Sequence, residues 1–106
     1  MVECVFCKIA KGELPTDIVD QSKNFVVFED INPHAPIHLL ITSKQHFRDI
    51  SDLPNELWVE AKDLALRISR EKNLGGFRLV HNSGEAASIH HFQLHFLGNI
   101  NNEARL

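Results

Sequence analysis

Residues 91–96 alternate strictly between polar and large apolar side chains. Because successive side chains of a β-strand point to opposite faces, this pattern predicts a strand with two very different sides. One face carries His91, Gln93 and His95, and the other carries Phe92, Leu94 and Phe96. An ordinary core strand does not carry such a polar row. The segment is therefore either an edge strand with a solvated face or a row of reactive groups at the floor of a pocket.

The other predicted elements place this strand in an α+β fold. Residues 54–73 have apolar side chains at helical spacing, with Pro54 in the first turn and capping oxygens offered by Ser51 and Asp52. Residues 4–10 favour a short helix. Strands are predicted at residues 25–28, 37–42, 77–80 and 91–97, the first two as an antiparallel pair, and a polar loop joins the last two. Strands, one long helix and further strands indicate the α+β class, in one domain spanning residues 1–106.

Charge and hydropathy exclude several classes of function. The 106 residues carry a net charge of −3, which argues against a non-specific nucleic-acid binder. No apolar run approaches the roughly 18 residues that a membrane span needs, and no secretory signal is recognisable at the start. With only two cysteines in the sequence, a disulfide framework is not expected. We therefore expect a cytoplasmic protein without a membrane or nucleic-acid partner.

The two cysteines form a C-x-x-C motif, Cys4 and Cys7. Three interpretations follow from the residues alone: two of the ligands of a zinc ion, a redox-active dithiol, or two unreacted thiols. A redox motif would be expected in a thioredoxin-like βαβ setting, which this sequence lacks. A zinc site would need two further ligands in tetrahedral arrangement.

Several segments together resemble the histidine-triad (HIT) nucleotide-binding family, and most closely its bacterial-type Hint-like branch. They are residues 28–38 (FEDINPHAPIH), 44–46 (KQH) and 82–84 (NSG), followed by the histidine-rich strand. The resemblance implies a sheet of about five antiparallel strands with two helices, in a homodimer whose sheets join. Trp58 on the long helix is a candidate interface residue, with an ordinary surface tryptophan as the alternative. The implied ancestral activity is hydrolysis of nucleoside phosphoramidates or nucleotides at the α-phosphate.

The central histidine of the family's triad is missing here. In the family, the middle histidine of this strand attacks phosphorus to form a nucleotidyl-histidine, and that position is occupied by Gln93. An amide does not attack phosphorus at a useful rate, so we expect the covalent pathway to be lost by several orders of magnitude. By resemblance, His95 is the last histidine of the triad. His38 is a positioning residue for the triad or a buried structural histidine.

The nucleoside end of the family's site is better preserved than its phosphate end. The resemblance implies that Asp30 accepts hydrogen bonds from the ribose, although an Asx turn would also explain it. The loop before the strand is shorter than the family's, lacks its Gly-Gln pair and places an acidic Glu85 there, while Ser88 and backbone amides could still contact phosphate. The expected nucleotide-binding set is Phe6, Phe28, Asp30, Ile31, Asn82, Ser88, Gln93 and His95, with Ile9 a further candidate for the base pocket.

The resemblance also supplies two partners for the cysteines. Members of the bacterial-type branch hold a structural zinc ion with residues that correspond to Cys4, Cys7, His46 and His91. His34, His81 and His90 are expected to be exposed or structural.

We therefore expect a protein that binds a purine nucleoside monophosphate, with weak or absent catalysis. The competing hypothesis is a zinc-stabilised dimer that has lost nucleotide binding and acts through protein partners. A third explanation, that Gln93 was introduced to trap a substrate, does not account for the altered loop.

Overall fold

The fold is one antiparallel sheet of five strands with two helices, seen in a computed structural model that describes residues 4–105. The strand order is β1-β2-β3-β5-β4. The strands are β1 (Asp20–Gln21), β2 (Phe25–Glu29), β3 (Ile37–Ser43), β4 (Phe77–Val80) and β5 (Gln93–Gly98), and the helices are α1 (Val5–Ala10) and α2 (Asn55–Glu71). This architecture confirms the predicted α+β class. No helix in the described part of the chain is both long and apolar enough to span a bilayer.

The two helices cover opposite faces of the sheet, because each strand alternates its side chains between them. On one face the main core joins β2, β3 and β5 to the apolar stripe of α2. Its members include Phe25, Val27, Leu39, Ile41, Leu94 and Phe96 from the sheet and Ala61, Leu64, Ala65 and Ile68 from α2. On the other face α1 packs Phe6 against Val26, Phe28 and Leu40. His95 pairs across the sheet with Leu40, so the polar row of β5 lies on the α1 side.

The start of the long helix differs from the prediction. Helix α2 begins at Asn55, after Pro54, and no side chain caps it. The predicted caps Ser51 and Asp52 were wrong: the Asp52 carboxylate instead accepts hydrogen bonds from the backbone N–H groups of Arg48 and Asp49. The local turn before the helix therefore uses the oxygen atoms that a cap would need.

The histidine-rich strand starts later than predicted. Strand β5 begins at Gln93, because Phe92 donates its backbone N–H to the carbonyl oxygen of Phe47, 2.7 Å away, and not to a neighbouring strand. His91 therefore lies just outside the strand, with its side chain almost completely buried. The short strand β1, which the sequence did not predict, pairs with Val26 and Val27 at the edge of the sheet.

Candidate active site and metal centre

A cavity of about 530 Å³ lies on the α1 side of the sheet. Helix α1, the segment after β2 and the loop between β4 and β5 wall it, and β3 and β5 contribute to its lining. All the residues predicted to contact a nucleotide line this cavity, namely Phe6, Phe28, Asp30, Ile31, Asn82, Ser88, Gln93 and His95. Ile31 is 92% exposed and so forms part of the rim. The structure thus brings the predicted set together, while the role of each residue stays a prediction.

Sequence reasoning missed part of the lining. Leu14 and Thr16 come from the irregular segment after α1, and Ile89 comes from the loop before β5. None belongs to a periodic pattern or a motif, so no signal in the sequence marked them. Conversely, Glu85 is exposed and does not line the cavity, although the residues from Ala86 to Ser88 do.

His38 and His95 form a hydrogen-bonded pair behind the cavity. His34 donates its backbone N–H to His38 Nδ1 at 2.9 Å, and His38 Nε2 lies 2.9 Å from His95 Nδ1. A backbone N–H can only donate, so the proton of a neutral His38 is on Nε2. That N–H in turn donates to His95 Nδ1, which leaves the proton of a neutral His95 on Nε2. The N–H of His95 is thus on the nitrogen that is not bonded to His38. His95 also lines the cavity.

Burial keeps both rings neutral. It is the largest cause that lowers the pKa of His38, against the opposing effect of the nearby Asp30 carboxylate. Burial and then the neighbouring His38 lower the pKa of His95. Both imidazoles are consequently uncharged at neutral pH. His95 can donate a hydrogen bond to a ligand but adds no positive charge to the cavity.

Asp30 forms the Asx turn that was one of the two roles considered for it, and its contact with a ribose stays a prediction. Its Oδ1 accepts the backbone N–H of Asn32 at 2.8 Å, which is the Asx turn. Its Oδ2 lies 3.4 Å from His38 Nε2 and 3.9 Å from His95 Nδ1, and the residue lines the cavity. Although Asp30, His38 and His95 converge closely enough to suggest a metal site, the proton on His38 Nε2 leaves that atom without a lone pair for a metal.

The Gln93 side chain is turned toward the backbone. Its Nε2 donates to the carbonyl oxygens of Ile89, at 3.2 Å, and His91, at 3.3 Å. These bonds fix the amide at the position that the sequence resemblance aligns with the family's nucleophile, an alignment that stays a prediction. In this orientation an amide offers no nucleophilic nitrogen.

Asp49 contacts the loop between β4 and β5, part of which lines the cavity. Its buried carboxylate accepts hydrogen bonds from the Ser51 hydroxyl and backbone N–H, and Gly84 N–H lies 3.4 Å from its Oδ2. The hydrogen bonds from Ser51, more than any other contact, lower the pKa of Asp49 to about 2. The carboxylate is therefore ionised at neutral pH and holds the turn at Gly84, whose φ is positive.

Cys4, Cys7, His46 and His91 form a compact cluster of four donor atoms at the N-terminus of α1. The His91 Nδ1 atom lies 3.2 Å from Cys4 Sγ, 3.5 Å from Cys7 Sγ and 3.1 Å from His46 Nδ1, and Cys7 Sγ lies 3.3 Å from His46 Nδ1. Tetrahedral zinc with these ligands would place neighbouring donors about 3.3–3.8 Å apart. The cluster therefore has the size of a metal site.

The protonation of His91 also suits a metal. Its Nε2 lies 2.7 Å from the carbonyl oxygen of Ser43, to which it donates. The other ring nitrogen, Nδ1, therefore has a free lone pair directed at the cluster, as a metal ligand requires. The four residues could hold a metal ion.

Phe6 contacts the donor cluster and also lines the cavity. Its ring makes edge contacts with the His91 ring, 5.9 Å between centroids, and with the Phe28 ring, 5.5 Å between centroids. Helix α1 and its N-cap residue Cys4 thus supply two members of the donor cluster, and the helix also forms part of the cavity wall.

The remaining histidines lie outside both sites. His81 accepts the backbone N–H of Ile50 at Nε2, and its Nδ1 lies 2.9 Å from the Gln93 carbonyl oxygen, so its role is structural. His34 and His90 are exposed.

Comparison with known proteins places the chain in a family. The family model described as "Scavenger mRNA decapping enzyme C-term binding" matches residues 3–105. Adenosine 5'-monophosphoramidase HNT1 of Saccharomyces cerevisiae is 32% identical over 96 residues, which are 89% of this chain. The chain spans 61% of the length of that yeast protein.

Solved structures agree. The HIT family hydrolase from Legionella pneumophila has a TM-score of 0.86 and 38% identity, with 93% of this chain and 95% of that chain covered. A Zn-bound histidine triad family protein from Mycobacterium smegmatis has a TM-score of 0.83 and 30% identity, with 94% and 77% covered. With its fold and nearly its whole length matched, the chain belongs to the histidine-triad (HIT) family.

Proposed function

We propose that this chain binds purine nucleosides and their 5′-monophosphates, and that it hydrolyses nucleotide substrates slowly or not at all. The observation that carries the proposal is the single cavity lined by every residue expected to contact a nucleotide, with Gln93 at the position of the nucleophile. The base would lie against Phe6 and Phe28, and the ribose hydroxyls would donate to the carboxylate of Asp30.

The same geometry would allow the cavity to bind a nucleotide without hydrolysing it. A relative, HNT1, is named as an adenosine 5'-monophosphoramidase, and the ancestral reaction at phosphorus needs a nucleophilic ring nitrogen. Gln93 offers an amide whose Nε2 is already bonded to two carbonyl oxygens. His95 offers an N–H and not a lone pair, so it does not replace the nucleophile.

We propose zinc as the ion of the Cys4, Cys7, His46 and His91 cluster. Two sulfur and two nitrogen donors form a ligand set typical of structural zinc, and they would fill all four positions of a tetrahedral ion. With no position left for substrate, the metal would fix α1 against the sheet and take no part in the reaction.

We also propose a cytoplasmic homodimer. Strand β4 is an edge of the sheet and exposes Leu79, while α2 exposes Trp58, Val59 and Leu66. An edge strand and an apolar helix face suit a second copy of the chain.

Calorimetric titration of the zinc-loaded protein with AMP and GMP tests the function. We expect saturable binding in the micromolar to millimolar range for the wild type and weaker binding for Asp30→Ala. The matched control is Asp63→Ala on the exposed side of α2, which should bind as the wild type does. An absence of binding by wild-type protein at millimolar nucleotide would refute the proposal and favour the competing hypothesis of a zinc-stabilised interaction dimer.

Slow hydrolysis has a separate test. Prolonged incubation of the wild type with a nucleoside phosphoramidate should leave nearly all of the substrate intact. Turnover at rates ordinary for an enzyme, about 1 s⁻¹ or more, would contradict the assignment of Gln93 as an inactivating residue.

A further inference from the structure

The polar atom that Gln93 offers to a ligand is an acceptor. Its Nε2 faces the carbonyl oxygens of Ile89 and His91, which can only accept, so the amide oxygen Oε1 is turned away from them. Within residues 4–105, Thr42 Oγ1 is the buried side-chain polar atom that lacks a partner. Gln93 Oε1 also lacks a hydrogen bond in this part of the chain, but it is not one of the buried atoms. It is therefore accessible. Because Gln93 lines the cavity, that oxygen is available to a ligand.

The charges around the cavity also disfavour an anion. Among the described residues that line it, none is Lys or Arg, and Asp30 is the one whose carboxylate faces it, because Glu29 pairs with Leu39 and so directs its side chain to the α2 face of the sheet. His95 is neutral because burial lowers its pKa. A phosphate dianion in this cavity would therefore meet an amide oxygen and the Asp30 carboxylate without a cationic side chain to offset them.

We propose that Gln93 is a specificity-determining residue. It makes the cavity prefer purine nucleosides whose 5′ group is an uncharged hydrogen-bond donor, such as the free 5′-hydroxyl, over nucleoside 5′-monophosphates. This inference rests on the proposed function, because it ranks the ligands of that same cavity.

The preference follows from matching donors to acceptors. Gln93 and His95 are two residues apart on one face of β5, and both line the cavity. Gln93 presents an acceptor and His95 presents a donor. A hydroxyl can satisfy either of them because it both donates and accepts, whereas a phosphate dianion only accepts and opposes Gln93 Oε1.

The decisive experiment compares ligands on the unaltered, zinc-loaded protein. Adenosine, 5′-deoxyadenosine and AMP are titrated by calorimetry at about pH 8, where the phosphate is a dianion since its second pKa is about 6. We expect adenosine to bind about tenfold more tightly than AMP. We also expect 5′-deoxyadenosine, which lacks the donor, to bind more weakly than adenosine.

A substitution then assigns the effect to the residue. Gln93→Met keeps the length of the side chain and removes the acceptor, so the preference for adenosine over AMP should fall to about threefold or less. Gln21→Met, at an exposed position on β1 outside the cavity, should leave the preference unchanged.

Two results would overturn the inference while leaving the proposed function intact. One is wild-type protein that binds AMP as tightly as adenosine or more tightly. The other is a folded Gln93→Met variant with the wild-type ratio of affinities. If none of the three ligands binds, the proposed function itself fails, and this inference fails with it.

Discussion

The Nε2 atom of His38 and the Nδ1 atom of His95 lie 2.9 Å apart, and the proton between them belongs to His38. This follows from the backbone N–H of His34, which occupies the other nitrogen of His38. The His95 ring therefore accepts a hydrogen bond at Nδ1 and carries its one N–H on Nε2. That nitrogen can donate a hydrogen bond but cannot act as a nucleophile. If position 93 is where the family's nucleophile stands, as proposed, His95 does not replace it.

The pair makes the fold sensitive to acid. The pKa of both His38 and His95 is lowered in the folded protein. As the pH falls below about 6.5, these two residues therefore bind more protons in the unfolded chain than in the folded protein, and this favours unfolding. Stability should therefore decrease between about pH 7 and pH 5. Histidine NMR titration should give midpoints below about 6.5 for both rings, and His38→Gln should weaken the pH dependence of the melting temperature. Midpoints above that value would contradict the lowered pKa of the two rings in the folded protein.

Restoring the nucleophile should restore chemistry if Gln93 is what removed it. Gln93→His is expected to raise the rate of adenosine 5′-phosphoramidate hydrolysis by at least about a thousandfold, on the scale of other nucleophile losses. Gln93→Asn, which keeps an amide, serves as the control and should remain as slow as the wild type. A folded but inactive Gln93→His variant would show that more than the nucleophile is missing from the site.

Metal removal should loosen α1. If Cys4, Cys7, His46 and His91 hold zinc, protein purified without chelator should contain about one ion per chain. Chelation should lower the melting temperature by at least about 10 °C. It should also weaken adenosine binding, because Phe6 and Ile9 on α1 line the cavity.

Cys7→Ser should reproduce both effects of chelation. The control is Ser69→Ala on α2, which lies outside the donor cluster. Protein without bound metal that melts at the same temperature before and after chelation would refute the site.

Thr42 offers a stabilising substitution. Its side chain is fully buried, and Oγ1 has no hydrogen-bond partner. Thr42→Val replaces the hydroxyl with a methyl group of similar size and should stabilise the protein by about 1 kcal/mol, since the cost of burying an unsatisfied hydroxyl is removed. Urea unfolding measures the difference. A clear loss of stability would show that the hydroxyl has a partner in solution.

Asp49 should govern stability at lower pH. Its pKa of about 2 in the folded state lies below that of an unfolded aspartate, so its contribution is present above about pH 4 and is lost as the pH falls toward 2. Asp49→Asn should therefore flatten the pH dependence of unfolding across that interval. Asp63→Asn at an exposed helix position is the matched control, and equal curves for the two variants would contradict this assignment.

Hydrophobic alternation was enough to predict which side chains of residues 92–96 enter the core. Phe92, Leu94 and Phe96 are buried there because burial of large apolar side chains dominates the energy. The start of the strand was not predictable in this way. The contact of Phe92 N–H with Phe47 is a tertiary hydrogen bond, and no local pattern encodes it.

The resemblance in short motifs predicted residues of the cavity well, whereas local sequence preferences did not predict the rest of its lining or the start of α2. Asp30 and Ser88 were expected at the cavity from short segments far apart in sequence, and both line it. Leu14 and Ile89 also line it but lie in irregular segments, where position depends on the whole packed structure and not on local sequence. Likewise Ser51 and Asp52 had the chemistry of helix caps, yet their oxygen atoms were taken by a preceding turn.

The position of Phe6 between the rings of His91 and Phe28 gives one side chain two reasons to be retained. A lineage that needs α1 in place in order to fold will preserve Phe6 even after selection on hydrolysis has relaxed. The wall of the cavity is then inherited along with the folding requirement. The shape of such a binding pocket therefore depends on the requirement to fold and not on whether the protein hydrolyses its ligand.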